Sequence, residues 1–322
     1  MIPSLLAALL ALTACGGAGV TSVPSAPEGT FPATANHKFG QTVVEQAPER
    51  VVSLGVADQD ALLALGTVPV AVRGRAADAS ATGPWAADRL KGEQPEVLPA
   101  GEVTPEAVAD LEPDLIIAVT AGLTREQYEA FAKVAPTVAG PVDSVDGAVG
   151  WQDATKLTGV ALGLPAEAAR VVKQVEDQFI KAEEEHPELA GATVAAVRPS
   201  PTDPASFMAW SSQDLRGRFL RDLGMQLPDE VDQQAGTGLY ATLPADQLST
   251  LDRADAIMVV GTEAERAAFA ALPGYAQLDL VQQSKVVTLD DEQSAALSFG
   301  SVLSLPSVVD ELSGRIARAI ER

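Results

Sequence analysis

Beyond its first thirty-five residues the chain alternates short all-apolar runs with stretches in which apolar positions recur every three or four residues. Residues 51–55 (VVSLG) predict a buried strand, residues 59–65 a helix stopped by Gly66, and residues 68–72 a second strand. A short helix follows at 105–111, a strand at 115–119 and a helix at 125–134. The second half repeats the scheme, with strands at 193–197, 256–260 and 286–289 and a helix at 215–223 stopped by Gly224. Strands that alternate with helices argue an α/β chain with a mainly parallel sheet and helices on its faces.

Two further patterns organise these elements. PEAVADL at 105–111 is echoed by PADQLSTL at 244–251. In both, an acidic residue (Glu106 or Asp246) precedes a Leu that leads, through Asp114 or Asp255, into an all-apolar strand. Two lobes of related topology are the economical explanation. Between them, Pro165 suits the first turn of a helix, and Ala168, Val172, Val175, Phe179 and Ala182 form one apolar stripe ended by Pro187. A helix over 165–185 is about 30 Å long, a rigid strut that limits hinge motion.

The N-terminus reads as an address. Residues 2–14 are almost unbroken apolar sequence, shorter than the roughly 20 residues a spanning helix needs but of signal-peptide length. The run ends in LTACGG at 12–17, which resembles a bacterial lipobox and implies a diacylglycerol thioether on Cys15, the only cysteine. No Lys or Arg precedes Lys38, so the usual cationic flank is absent from this sequence. Residues 16–32, rich in Gly, Ser, Pro, Thr and Ala with Glu28 the only charge, predict a flexible tether. An exported, lipid-anchored, water-facing protein is expected.

Composition narrows the function. The chain is 47% apolar, enough for a sizeable core, and 22 Lys+Arg against 44 Asp+Glu give a net charge of −22. That excludes the basic footprint of a nucleic-acid binder. Two histidines, His37 and His186, and one cysteine exclude intrachain disulfides, Cys-based zinc sites and three-His metal cages. There is no G-x-S-x-G elbow or Cys–His pair, and Gly74, Gly92 and Gly101 are too scattered for a dinucleotide fingerprint, so no enzyme is expected.

His37-Lys38-Phe39-Gly40, residues 48–55 (PERVVSLG), 61–66 (ALLALG), 105–117 (PEAVADLEPDLII), 135–138 (APTV), Leu162-Gly163, Leu223-Gly224, 243–260 and the terminal helix at 306–312 occur in an order that carries a resemblance. From Asn36 onward the chain is similar to the class III, or helical-backbone, substrate-binding lipoproteins of iron-siderophore and vitamin B12 ABC importers. The resemblance implies two Rossmann-like α/β lobes joined by a single long α-helix, with ligand in a shallow cleft between them and delivery to a membrane permease. It divides the chain into a lipoprotein signal and lipidated Cys15 (1–15), a tether (16–35), an N-terminal lobe (36–145), a connecting helical segment (146–190) and a C-terminal lobe (191–322). The siderophore branch fits better than the zinc/manganese branch, since two histidines cannot furnish a metal cage. Cobalamin or haem binding by the same fold is the alternative, as is a ligand-free surface interaction lipoprotein with its tryptophans packed away. A monomer with a ferric siderophore as ligand, no cofactor, no directly bound metal and no nucleic-acid partner is the expectation.

Ligands of open α/β sheets sit at the carboxyl ends of strands. The loop after 68–72 carries Arg73, Arg75 and Trp85; in the second lobe the segment after Val197 carries Arg198, Trp210, Arg216 and Arg218, and Tyr240 follows. Aromatics are 4% of the chain, so two Trp in equivalent loops stand above background. A ferric tris-catecholate, net −3, requires cations, which Arg supplies with several donors on a weakly hydrated group. Neutral hydroxamate chelates want flat apolar walls, which Trp and Tyr give. Trp151 and His37 read as core residues and His186 as a solvated cap. The resemblance assigns Glu106 and Asp246, one on each lobe's outer tip, to pairing with permease arginines; where the family more often has Glu, Asp246 is shorter.

Overall fold

The computed structural model describes residues 29–75, 81–144 and 147–322; Cys15 and the signal and tether up to residue 28 lie outside the described residues. An antiparallel hairpin, β1 (Ala33–His37) and β2 (Gly40–Val44), comes first. A parallel sheet follows, formed by β3 (Val51–Ser53), β4 (Ala71–Arg73), β5 (Glu96–Leu98), β6 (Leu115–Ala118) and β7 (Thr137–Ala139) in the order β5-β4-β3-β6-β7. Its central strands are buried on both faces, which is why they read as continuous apolar runs. On one face lie α1 (Asp58–Ala64) and the hairpin; Val108 of α2 (Pro105–Ala109) and Phe131 of α3 (Arg125–Phe131) pack on the other. α4 (Trp151–Ala161) returns to the first face through Ala154 and Ala161.

The strut is α5 (Pro165–Glu185), and its buried residues are Ala168, Val172, Val175, Phe179 and Ala182, the stripe read from sequence. Ala168 belongs to the first lobe's core and the other four to the second lobe's, while Val171 touches both. α4 is a helix separate from the strut, with the break falling just ahead of Pro165. Gly163 makes it: its φ is +68°, and a Cβ there would meet the Thr30 carbonyl at 2.7 Å.

The second sheet contains β8 (Val194–Pro199), β9 (Ser206–Trp210), β10 (Tyr240–Pro244), β11 (Ala256–Val259) and β12 (Val286–Thr288), in the order β10-β9-β8-β11-β12. This is the same order by position as the first sheet, but β9 runs antiparallel to both neighbours. Residues of α6 (Leu215–Asp222), α10 (Asp291–Phe299) and α11 (Val309–Ile320) cover one face together with the strut. Val231 of α7 (Asp229–Ala235), Phe269 of α8 (Glu263–Ala270) and Leu280 of α9 (Asp279–Gln282) cover the other. The echo in sequence is an echo in hydrogen bonding. Asp114 accepts from the backbone N–H groups of Glu49 and Arg50 ahead of β3, and Asp255 accepts from Thr193 N–H ahead of β8. Each acid therefore ties the lobe's first strand to the strand beside it.

Strand β4 starts at Ala71, later than the 68–72 reading, since Pro69 has no N–H to give a ladder. Arg198 and Trp210 lie within β8 and β9, so the expectation that Trp85 and Trp210 occupy equivalent loops is corrected: Trp85 is in a 3₁₀ helix, Pro84–Leu90, whereas Trp210 ends a strand.

Candidate functional site

The second lobe assembles half of the site by register. Val194 and Ala196 enter the helix-covered core that also holds Trp210, so Arg198, two residues on, stands on the same face. Arg198 pairs with Met208 and Trp210 with Tyr240, and residues opposite one another share a face. Trp210 is 4% exposed; Tyr240, on the edge strand, is 48% exposed. The first turn of α6 then sets Arg216 over Trp210, its guanidinium carbon 4.3 Å from the ring centroid, a cation–π contact.

Each of these arginines has an acid. Asp214 caps α6 by accepting from Arg216 N–H at 2.9 Å, and its Oδ1 lies 2.9 Å from Arg216 Nε. Burial pushes the Asp214 carboxyl up against the opposing pull of Arg216, and burial pushes the Arg216 guanidinium down while Asp214 supports its charge. Arg198 is ion-paired with Glu265, which also closes the capping box of α8 with Thr262.

The first lobe contributes differently. Asp60 on α1 is fully buried and accepts from Trp85 Nε1 at 2.8 Å and from the Ser301 hydroxyl of the second lobe. Trp85 meets the Phe299 ring edge-on with centroids 4.9 Å apart, and the Arg75 guanidinium carbon is 4.0 Å from the same ring's centroid. Burial pushes Asp60 up to about 6, although the two hydrogen bonds and the Arg75 charge act the other way. Asp58, which accepts from the backbone N–H groups of Gly55 and Thr120, is likewise pushed up to about 6 by burial. A small cavity of about 20 Å³ lies between the lobes, lined by Val56, Ala57 and Thr120 from strand ends of the first sheet. Trp151 and Thr155 of α4 and Leu215, Phe299, Gly300 and Ser301 of the second lobe complete it.

Of the eight sequence-derived ligand candidates, four therefore come together on the second lobe (Arg198, Trp210, Arg216, Tyr240) and two meet at the lobe junction (Arg75, Trp85). The structure does not bring Arg73 and Arg218 to them. Arg73 donates to the Gly101 carbonyl at 2.9 Å and lines a cavity confined to the first lobe, with Glu102 and Gln127. Arg218 is two positions from Arg216, and such residues do not share a helix face. It lines a groove with Asp143, Asp153 and Lys156. Trp151 is buried and stacked on Phe179, and His37 is buried against Thr42 at 2.9 Å, both as core residues. Sequence reasoning missed Asp60, Asp214, Glu265, Phe299 and Ser301. Acids at helix starts look like ordinary N-terminal charges, and only Phe299, in a chain so poor in aromatics, offered a signal.

Glu106 and Asp246 are both exposed, each the second residue of its helix, in α2 and in the 3₁₀ helix Ala245–Arg253. Those helices hold equivalent places, leading from an edge strand back to the strand beside the sheet centre.

Two α/β lobes on one long helix, with a polar and aromatic junction between them, define a bilobal solute-binding protein of the helical-backbone type. The chain belongs to the periplasmic binding protein family, whose model matches residues 51–293. It is similar to a periplasmic solute binding protein from Mycobacterium smegmatis, at 31% identity over 89% of this chain and 98% of that one, with a TM-score of 0.80. It is also similar to PiaA, the iron uptake ABC transporter substrate-binding protein of Streptococcus pneumoniae, at 26% identity over 89% and 99% of the two chains, TM-score 0.73. The PiaA complex with ferrichrome matches over 90% and 99% at the same identity, TM-score 0.74. No curated protein sequence matches this chain. The family consists of extracytoplasmic binding components of transporters. No described helix is long and apolar enough to cross a membrane.

Proposed function

We propose that this protein is the substrate-binding component of an ABC importer, capturing a ferric siderophore between its lobes and handing it to the permease. The observation that carries the reading is the patch of Arg198, Arg216, Trp210 and Tyr240 beside Leu215, which itself lines the interlobe cavity. Flat rings bind the apolar shell of a chelate and guanidinium N–H groups bind its oxygens. PiaA, whose ferrichrome complex shares this fold, supports it. His37 is held in the first lobe by Thr42 and His186 ends the strut, so neither histidine serves the cleft as an axial ligand to haem. Arg75 and Trp85 form the floor where the lobes meet. Arg73 and Arg218 stand outside this patch. Lipidation at Cys15 tethers a monomer to the outer side of the cell membrane, with Glu106 and Asp246 as the tips that meet permease cations.

Tryptophan fluorescence of the protein lacking residues 1–15, titrated with ferric siderophores, haem and cobalamin, tests the reading. Saturable quenching by a siderophore, weakened at least tenfold by Arg198→Ala, is the expected result. A folded protein that responds to none of the panel, or only to haem or cobalamin, overturns it.

A further inference from the structure

The arginines around the candidate site do not present free positive charge. Arg198 is ion-paired with Glu265, and Arg216 is held by Asp214. The Arg75 charge acts on the buried Asp60 carboxyl. Arg73 shares its cavity with Glu102, and Arg218 shares its groove with Asp143 and Asp153. All five cations picked out by the sequence thus have a carboxylate in their own surroundings. Lys156, the remaining cation lining the Arg218 groove, shares it with those same two acids, and the chain as a whole carries −22.

From this balance, and resting on the function proposed above, we infer that the cleft is built for a chelate without net negative charge, a neutral ferric trihydroxamate, and that Glu265 and Asp214 set this selectivity. A tris-catecholate complex brings three negative charges to a surface whose Arg198 and Arg216 guanidinium groups are already paired with acids, and it meets Glu265, whose side chain is 32% exposed, as a like charge. Like charges in a partly desolvated site repel strongly, and the cost grows as water is expelled. A neutral chelate meets no such penalty. It finds the exposed Tyr240 ring as a wall, while arginines held in place by acids remain oriented donors without attracting anions.

The test is a pair of titrations on the wild type and on Glu265→Gln and Asp214→Asn. One uses ferrichrome, a neutral ferric trihydroxamate; the other uses ferric enterobactin, a tris-catecholate of charge −3. Both substitutions keep a capping side chain, Gln at the third position of α8 and Asn at the N-cap of α6, so the folds survive; thermal melting confirms this. Wild type binding ferrichrome at least a hundredfold tighter, and either variant shifting the ratio of the two affinities toward the catecholate complex by tenfold or more, is the expected outcome. Equal or tighter binding of the catecholate by wild type overturns the inference and leaves siderophore capture standing. A selectivity ratio unmoved in both variants removes Glu265 and Asp214 as its cause and overturns the inference. Binding of neither chelate by folded wild type overturns this inference and the proposed function together.

Discussion

The two lobes share a strand order but use their junction residues in opposite ways. In the first lobe's five-stranded sheet every strand is parallel, and the polar residue at the junction is consumed by contacts there: Asp60 is fully buried, bonded to Trp85 and, across the boundary, to Ser301. In the second lobe β9 is reversed, and its pairing with β8 and β10 sets Arg198, Trp210 and Tyr240 on one face, with Tyr240 half exposed. One tryptophan thus clamps the lobes and the other floors a patch that is still open. An approximate internal repeat can keep its architecture while dividing its labour, because one reversed strand changes which side chains reach the cleft.

That contrast can be broken experimentally, most severely by truncating a buried ring. Trp210→Ala should lower stability by about 3–5 kcal/mol, since a nearly buried large side chain leaves a cavity; a loss below 1 kcal/mol in denaturant melts would show that Trp210 is not part of the second core. Asp60→Ala leaves the Trp85 and Ser301 donors without an acceptor and should cost about 2–4 kcal/mol. Its effect on chelate affinity should be smaller than that of Arg198→Ala, and the reverse order in parallel titrations would erase the division between clamp and patch.

The clamp also makes a pH prediction. The folded state raises Asp58 and Asp60 to about 6, above their ordinary carboxylate value, so it holds these protons more tightly than the unfolded chain does. Their stabilising contribution is therefore complete at low pH and is lost as pH rises from about 4 to 6. Asp60→Asn should flatten this part of the stability profile by about 1–3 kcal/mol. Melting curves at pH 4, 5, 6 and 7 measure it, and identical slopes in variant and wild type would refute the assignment. The smallest effect on the isolated protein belongs to Glu106→Ala with Asp246→Ala. Both residues are exposed, so stability should change by under about 0.5 kcal/mol and chelate binding should not change, while uptake in cells falls. Unimpaired uptake would take both residues out of permease docking.

Periodicity made the frame legible. The strut's five buried residues were readable one by one because an amphipathic helix repeats over many turns. The reversal of β9 was not readable, since a five-residue buried strand such as SFMAW carries no mark of its direction. The arginines and aromatics of the candidate site were visible by type, but their partners were not. Asp214 and Glu265 are ordinary capping acids in sequence and become charge balancers only when register and helix phase bring them to Arg216 and Arg198. Phase also explains why Arg218, so near Arg216 in sequence, ends up facing another groove.

One consequence of the strut concerns the permease. With Ala168 anchored in one core and Phe179 in the other, the helix acts as a calliper of fixed span, and on the docking proposed above the separation of the Glu106 and Asp246 tips should change little on loading. An empty receptor would then offer the transporter the same two points of contact as a full one. On that proposal traffic through the importer would depend on the ratio of loaded to empty receptors, and surplus empty protein should slow uptake by occupying the permease.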